Sequence, residues 1–334
     1  MSRVLILATG GTIAGTGIDP QRSWAYQAAQ LGVDQLVQAV PELVGESLAT
    51  RQVAQLDSKD MGVSTWRLLA QALQEAMRDP AVDAIVITHG TDTLEETACL
   101  LHALHDGCKP IVLTAAMRPA TAPDADGPRN LLDAVRVARS AALRGEGGVA
   151  AVLAGRTWSA RDVRKAHSHA MDAFDGGGEP PLREGESWPA PMGWGWACLS
   201  AAPPRVEVIT SHADADGWLV DAALRHAASA GPLDGLVVAA TGHGTVHQGL
   251  EAALQRAHQA GVVVWRSSRV ARGGVQAREG DGECDGQGGA AAAWPAAGSL
   301  TAAQARVMLV LTLLRQRLQP PQRPPETSSI APAV

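Results

Sequence analysis

Two short stretches place threonines where they can do chemistry. ATGGTIAG, residues 8–15, sets Thr9 and Thr12 around adjacent glycines, and HGTDT, residues 89–93, sets Thr91 and Asp92 behind Gly90. A threonine hydroxyl is a poor nucleophile until a base takes its proton. Lys165, in TWSARDVRKAHS, can be that base where burial lowers its pKa and Asp92 orients it. Backbone N–H groups of a glycine-threonine turn can hold an oxyanion. Ser58, in LDSKDM, adds another hydroxyl. Together these groups suit acyl transfer from a small carboxamide or ester.

Each feature also has a plainer reading. Thr12 can cap a helix. Asp92 with Glu95, or Thr93 with Glu96, has the spacing of a capping box. Lys165 in a polar loop can be a solvated charge. A phosphate loop does not fit: no lysine follows Gly15, and Gly10 and Gly11 are adjacent rather than alternating as G-x-G-x-x-G requires. What favours a site is convergence. In open parallel sheets ligands bind beyond the carboxyl ends of strands, and both threonine turns follow apolar, strand-like runs.

Those runs belong to a repeated strand–loop–helix order. VLILA, AIVIT, IVLT and VAAVL read as strands. VDQLVQAVPEL, STWRLLAQALQEAMRD (opened by Ser64 or Thr65), DTLEETACLLHALHDG and GPRNLLDAVRVARSAALRG read as helices, the last with Pro128 in its first turn. This order predicts α/β architecture, a parallel sheet with helices on both faces and right-handed crossovers. The rhythm breaks in a Gly-, Pro- and Trp-rich stretch near 176–205, read as a hairpin-like excursion, and resumes at VEVITSH. The division is a larger N-terminal α/β domain over 1–190, a linker over 191–212 and a smaller C-terminal α/β domain over 213–334. The last contains a low-complexity loop at 271–297, a closing helix LTAAQARVMLVLTLLRQRL, and a Pro-rich tail from about 320 expected to be disordered.

Composition narrows the class. The chain has 334 residues, 46% hydrophobic and 19% charged, with net charge −6. This balance suits a globular protein and gives no support for nucleic-acid or membrane-surface binding. Apolar runs fall short of the roughly 20 residues a spanning helix needs. Cys99, Cys108, Cys198 and Cys284 show neither CxxC pairing nor zinc spacing, so no metal or cofactor is expected. Only VLILA stands between Arg3 and the glycine loop, too short for a signal core, so the expected compartment is the cytoplasm. Tyr26 is the single tyrosine. It lies in a polar stretch holding Gly15, Gly17 and Pro20, which suits a lid.

ATGGTIAG and ITHGTDTLEET resemble the two signature segments of the bacterial-type L-asparaginase/glutaminase family. The resemblance continues in LDSKDM, AAMRPATAPDADGPRNLLDAV, ARDVRK and WRSSRV, from Val4 to about Leu318. It implies a two-domain α/β fold and hydrolysis of L-asparagine to aspartate and ammonia, without cofactor. Thr12 would be the nucleophile and Tyr26 its hydrogen-bond partner. Thr91, Asp92 and Lys165 would form the second catalytic group, near the Gly11 and Gly90 backbone. Ser58 would bind the substrate α-carboxylate, Asp92 its ammonium, and the Ala116 carbonyl its amide nitrogen. Lys59 stands where secreted members carry glutamine, and it would repel the ammonium unless it turned away to pair with an acid such as Asp60. The family further implies a homotetramer with sites shared between subunits, to which TGHGT (241–245) and Glu279 or Glu283 would contribute. Within one subunit TGHGT has no evident job. Two other readings fit the same residues: an amidase preferring glutamine or another small amide, and a non-catalytic amino-acid-binding protein of this fold.

Overall fold

The computed structural model describes residues 3–17, 25–277 and 294–318. In chain order the strands are β1 (Val4–Gly10), β2 (Thr16–Gly17), β3 (Tyr26–Gln27), β4 (Leu48–Leu56), β5 (Ala84–Thr88), β6 (Ile111–Thr114), β7 (Val149–Leu153), β8 (Arg156–Ser159), β9 (Arg164–Lys165), β10 (Phe174–Asp175), β11 (Val206–Thr210), β12 (Gly235–Ala240) and β13 (Val263–Ser268). The helices are α1 (Val33–Gln38), α2 (Val63–Arg78), α3 (Leu94–Leu104), α4 (Gly127–Leu143), α5 (Trp218–Ala230), α6 (Gln248–Gln259) and α7 (Ala302–Leu318).

The main sheet runs β4-β1-β5-β6-β7-β8, parallel except for β8, which returns antiparallel along β7. Alternation along each strand explains the two helical layers. Ile6, Ala84, Val86 and Val112 face α1 and α4. Leu7, Ile85, Ile87 and Leu113 face α2 and α3. A second sheet, β11-β12-β13, is wholly parallel. One of its faces packs Leu236, Val238 and Val264 against α5 and α6. The other meets α7, whose Leu309, Leu311 and Leu314 are fully buried.

α7 also packs along α3, so an apolar cluster runs continuously from the main sheet to the second one. That is why the helix is apolar nearly all round rather than striped.

Several local expectations are corrected. β8 lies in a run read as loop, because its pairing with β7 is set by the Ala154-Gly155 turn rather than by an apolar pattern. β11, where the pattern was expected to resume at VEVITSH, falls inside the 191–212 range and pairs with β12. α2 starts at Val63 with Gly62 as its cap, so neither Ser64 nor Thr65 caps it. The 278–293 part of the low-complexity loop, with Glu279, Glu283 and Cys284, and the 319–334 tail lie outside the described residues.

Leu311→Ala removes a fully buried side chain from the cluster that joins the two sheets. The expected cost is about 2–5 kcal/mol, read as a lowered urea midpoint followed by tryptophan fluorescence.

Candidate active site

The site is built where β1 and β5 end side by side. Both strands run into glycines, and the two turns touch backbone to backbone. A Cβ on Gly11 would lie 2.4 Å from the Gly90 Cα, and one on Gly90 would lie 2.4 Å from the Ser58 Oγ. Gly11 also has φ +82°, a region that favours glycine. This approach puts Thr12 and Thr91, both buried, immediately beyond the point of contact.

Thr12 opens a single 3-10 turn and makes no capping bond. Its Oγ1 lies 2.7 Å from the Tyr26 Oη. Tyr26 is carried by the two-stranded β2–β3 ribbon. That ribbon is fastened at its base, since Ala29 N donates to Gly11 O and Ala120 N to Gly15 O. Burial pushes the Tyr26 phenol above its usual 10, only partly offset by the bond to Thr12. At neutral pH it therefore carries its proton.

Thr91 and Asp92 converge on Lys165. The Lys165 Nζ donates to Thr91 Oγ1 at 2.9 Å and to Asp92 Oδ1 at 2.7 Å. The lysine is largely enclosed while the aspartate side chain is half exposed. Lys165 is therefore no solvated surface charge. The capping-box reading fails as well. Thr93 is the N-cap of α3 but makes no capping bond, and its hydroxyl donates to Ser58 O. Glu95 points away from the helix start: it accepts Lys165 N at 2.7 Å and the Thr301 hydroxyl at 2.9 Å. Tertiary partners win over local ones here.

Ser58 is buried, and its Oγ accepts Asp92 N at 3.2 Å. The Ser58 proton is thus left to be donated outward. Lys59 pairs with Asp60, and its side chain stays mostly exposed. Ala116 is buried and approaches the first turn, since a Cβ on Gly127 would sit 2.9 Å from Ile13 and 3.5 Å from the Ala116 Cβ. Asp162, just before β9, pairs with Arg161 and takes no part in the constellation. TGHGT has a local job after all: Thr241 and Thr245 bridge to each other at the end of β12, and Ser268 Oγ donates to Gly242 O.

Sequence reasoning missed the residues that hold these turns. Asn130 Nδ2 donates to Ala115 O, and its Oδ1 accepts Ala154 N. Asp126 accepts the N–H groups of Met117 and Arg118. His89, fully buried, has Nδ1 2.8 Å from Gly90 O and Nε2 2.9 Å from Thr97 Oγ1, which also receives the Trp66 indole N–H. Burial holds the imidazole down at about 4, so it is neutral. A neutral ring carries one N–H, and Gly90 O can only accept. The proton is therefore on Nδ1, and Thr97 donates to Nε2. The only sequence signal was a histidine before glycine at a strand end, with polar Thr97 on an otherwise apolar helix face.

Two family models match the chain: "Asparaginase, N-terminal" over residues 3–189, and "Glutaminase/Asparaginase C-terminal domain" over 205–322. The chain belongs to the bacterial-type asparaginase family. Among curated asparaginase-family relatives, the glutaminase-asparaginase of Pseudomonas fluorescens biotype A is 35% identical, covering 94% of this chain and 87% of its own length. L-asparaginase 2 of Escherichia coli K12 is 33% identical over 95% and 90%. The solved structure of the probable cytoplasmic L-asparaginase of Campylobacter jejuni superposes with a TM-score of 0.81 at 31% identity, covering 96% of this chain and 98% of that one. The two-domain α/β fold and the amidohydrolase class follow from this membership.

Thr97→Val keeps the shape of the side chain but strands the His89 Nε2 and the Trp66 N–H. Stability should fall by about 1–3 kcal/mol, read by denaturant unfolding. The pH dependence has a definite sign. His89 binds its proton near 6.5 when unfolded and only near 4 when folded, so its contribution is complete above pH 6.5 and is lost as pH falls toward 4. In His89→Gln, stability measured across that window should fall less steeply than in the wild type.

Proposed function

We propose that this protein is an L-asparaginase that hydrolyses the side-chain amide of L-asparagine to aspartate and ammonia, with Thr12 as nucleophile. The observation that carries the reading is the pairing of two hydroxyls with two different partners at one spot, Thr12 with Tyr26 and Thr91 with Lys165 and Asp92. Asparaginase and glutaminase-asparaginase are also the names of the relatives similar to it over almost their whole length. Glutamine or another small amide is the second reading, and the glutaminase-asparaginase relatives keep it in view. A non-catalytic binding protein is not favoured, since Thr12 with Tyr26, and Thr91 with Asp92 and Lys165, are the residue types and pairings that the chemistry calls for.

The geometry supports a division of roles. Thr12 attacks the carboxamide carbon while Tyr26 holds its hydroxyl. Thr91 Oγ1 accepts from Lys165, which leaves its own proton to be donated toward the oxygen that gains charge. Lys165 and Asp92 move protons to and from the attacking hydroxyl or water. N–H groups at the Gly11 and Gly90 turns lend donors to the oxyanion. Ser58, free to donate, takes the α-carboxylate, Asp92 takes the α-ammonium, and the Ala116 carbonyl takes the amide nitrogen. The acyl-Thr12 ester then yields to water, with ammonia as the first product and aspartate as the second.

Further parts of the reading are a homotetramer with sites shared between subunits and a cytoplasmic location. The Campylobacter jejuni protein is described as cytoplasmic, whereas the Haemophilus influenzae relative is named periplasmic. Among the described residues no helix is long and apolar enough to cross a membrane, and no group of three or more His, Cys, Asp or Glu is placed to hold a metal ion. Light scattering tests the tetramer, and a fully active monomer would refute it.

Purified protein should release ammonia from L-asparagine without added metal, and chelators should leave the rate unchanged. Silence across asparagine, glutamine and related amides would sink the hydrolase reading. Thr12→Ala, Thr91→Val and Lys165→Met should each cost about 10²-fold or more in turnover, with combined changes less than additive if the groups act as one unit.

Because Tyr26 is the only tyrosine, a tyrosine-selective reagent reports on one position. Its modification should track loss of activity and be slowed by aspartate. Tyr26→Phe should lower kcat more than it changes KM. Full turnover in that variant would make the phenol a bystander.

A further inference from the structure

Away from the strand-end site, α4, the start of β8 and the segment after β10 line a groove of about 440 Å³. Its floor is apolar, made by Val152, Leu182 and the buried Trp188. Its rim carries Arg129, Arg136, Arg144, Arg156 and Arg183 against only Asp133 and Glu184. Three positive charges are left over, in a chain whose net charge is −6. Arg129 spends its charge on Asp133, and Arg144 donates to Ser140. Among the described residues no carboxylate lies within ion-pair distance of Arg136, Arg156 or Arg183.

A solvated helix face would show arginines interleaved with acids over a convex surface. Here the guanidiniums surround a concavity with an apolar floor, and its volume lies in the range of small-molecule pockets. Guanidinium forks match phosphate oxygens two at a time, and the floor beneath them suits a carbon skeleton or a flat ring.

The groove is also tied to the site. The wall that bears Arg156 begins at the Ala154-Gly155 turn, where Ala154 holds φ +50°, an unusual conformation for a residue with a side chain. The bond from Ala154 N to the buried Asn130 Oδ1 helps to keep it there, at 3.0 Å. The same side chain donates to Ala115 O at 2.9 Å, one residue before Ala116. One amide thus spans from the groove wall to the turn beyond β6.

We propose that this groove binds an organic phosphate, and that its occupancy is felt at the active site through Asn130. Binding requires nothing of the hydrolase reading; only the transmission rests on it.

The test is calorimetric titration of the full chain with ATP, inorganic pyrophosphate, adenosine and a short single-stranded oligonucleotide, at low and high salt. ATP should bind once per chain with a Kd below about 1 mM and weaken as salt rises. Pyrophosphate should bind more weakly, and adenosine should not bind measurably. Arg136→Ala/Arg156→Ala/Arg183→Ala should weaken ATP about tenfold or more while leaving ammonia release without ATP at the wild-type rate. Saturating ATP should shift the KM for asparagine about twofold or more in the wild type and not in the triple variant. No ATP binding, or binding that survives the triple change, would overturn the site. Preference for the oligonucleotide over ATP at equal phosphate would move the occupant to a polyanion and overturn the small-molecule assignment. An altered oligomeric state in the triple variant, with phosphate binding intact, would make the arginines a subunit contact. Binding with unchanged kinetics in an active enzyme would overturn the transmission alone. Because calorimetry needs no turnover, an inactive protein would leave the binding result standing and count only against the hydrolase reading.

Discussion

The contact between Gly11 and Gly90 is the constraint on which the site depends. Two adjacent parallel strands end at the same level, and their turns meet with no side chain between them. Any Cβ at either position would collide with backbone or with Ser58. The consequence is chemical. Thr12 and Thr91, which sit 79 residues apart in the chain, each follow directly on a glycine of that contact and are both buried there. A side chain at the contact would push the turns apart and move each hydroxyl from its partner. Misplacement of about 1 Å is enough to cost a reaction much of its rate.

Rigidity around that contact comes from buried groups behind the two turns. Trp66, Thr97 and neutral His89 form a directed chain of hydrogen bonds ending on the Gly90 carbonyl. Asn130 and Asp126 do the same for the turn after β6. All are paired, so their burial costs little and their geometry is well determined. Tyr26 differs. It reaches Thr12 from a two-residue ribbon rather than from the sheet. The partner of the Thr12 hydroxyl is thus the part of the site held by the fewest sheet contacts.

The second domain is not an appendage to this site. Glu95 bridges the backbone of Lys165 and the hydroxyl of Thr301 just before α7. Arg164, next to the lysine, donates to Ala271 O and Ser299 O. Gln304, within α7, donates to Val163 O. The strand that presents Lys165 is therefore strapped to the second domain, while α7 shares an apolar cluster with the first. Burial pushes the Glu95 carboxyl up, and its two hydrogen bonds work against that shift. A change at the second domain's closing helix has a short physical route to Lys165.

Much of this was open to sequence reasoning because it is local. Alternating and continuous apolar runs fix which strands are buried on both faces, and paired glycines before a threonine mark a turn that must approach another backbone. Thr12, Thr91, Asp92 and Lys165 could be named from residue type at strand ends, and the signature segments named the family. What local pattern could not decide was which partner each side chain takes. Thr12, Thr93 and Glu95 all had the spacing of helix caps, and all three instead bond to groups remote in the chain. β8 was invisible because an antiparallel edge strand of four residues is made by its neighbour, not by its own period. The tautomer of His89 and the bridge through Asn130 depend on atoms from three separate elements. Sequence sets the periodicity and the backbone freedom of each segment, whereas hydrogen-bond partners across the sheet exist only once burial has removed water as the competing partner.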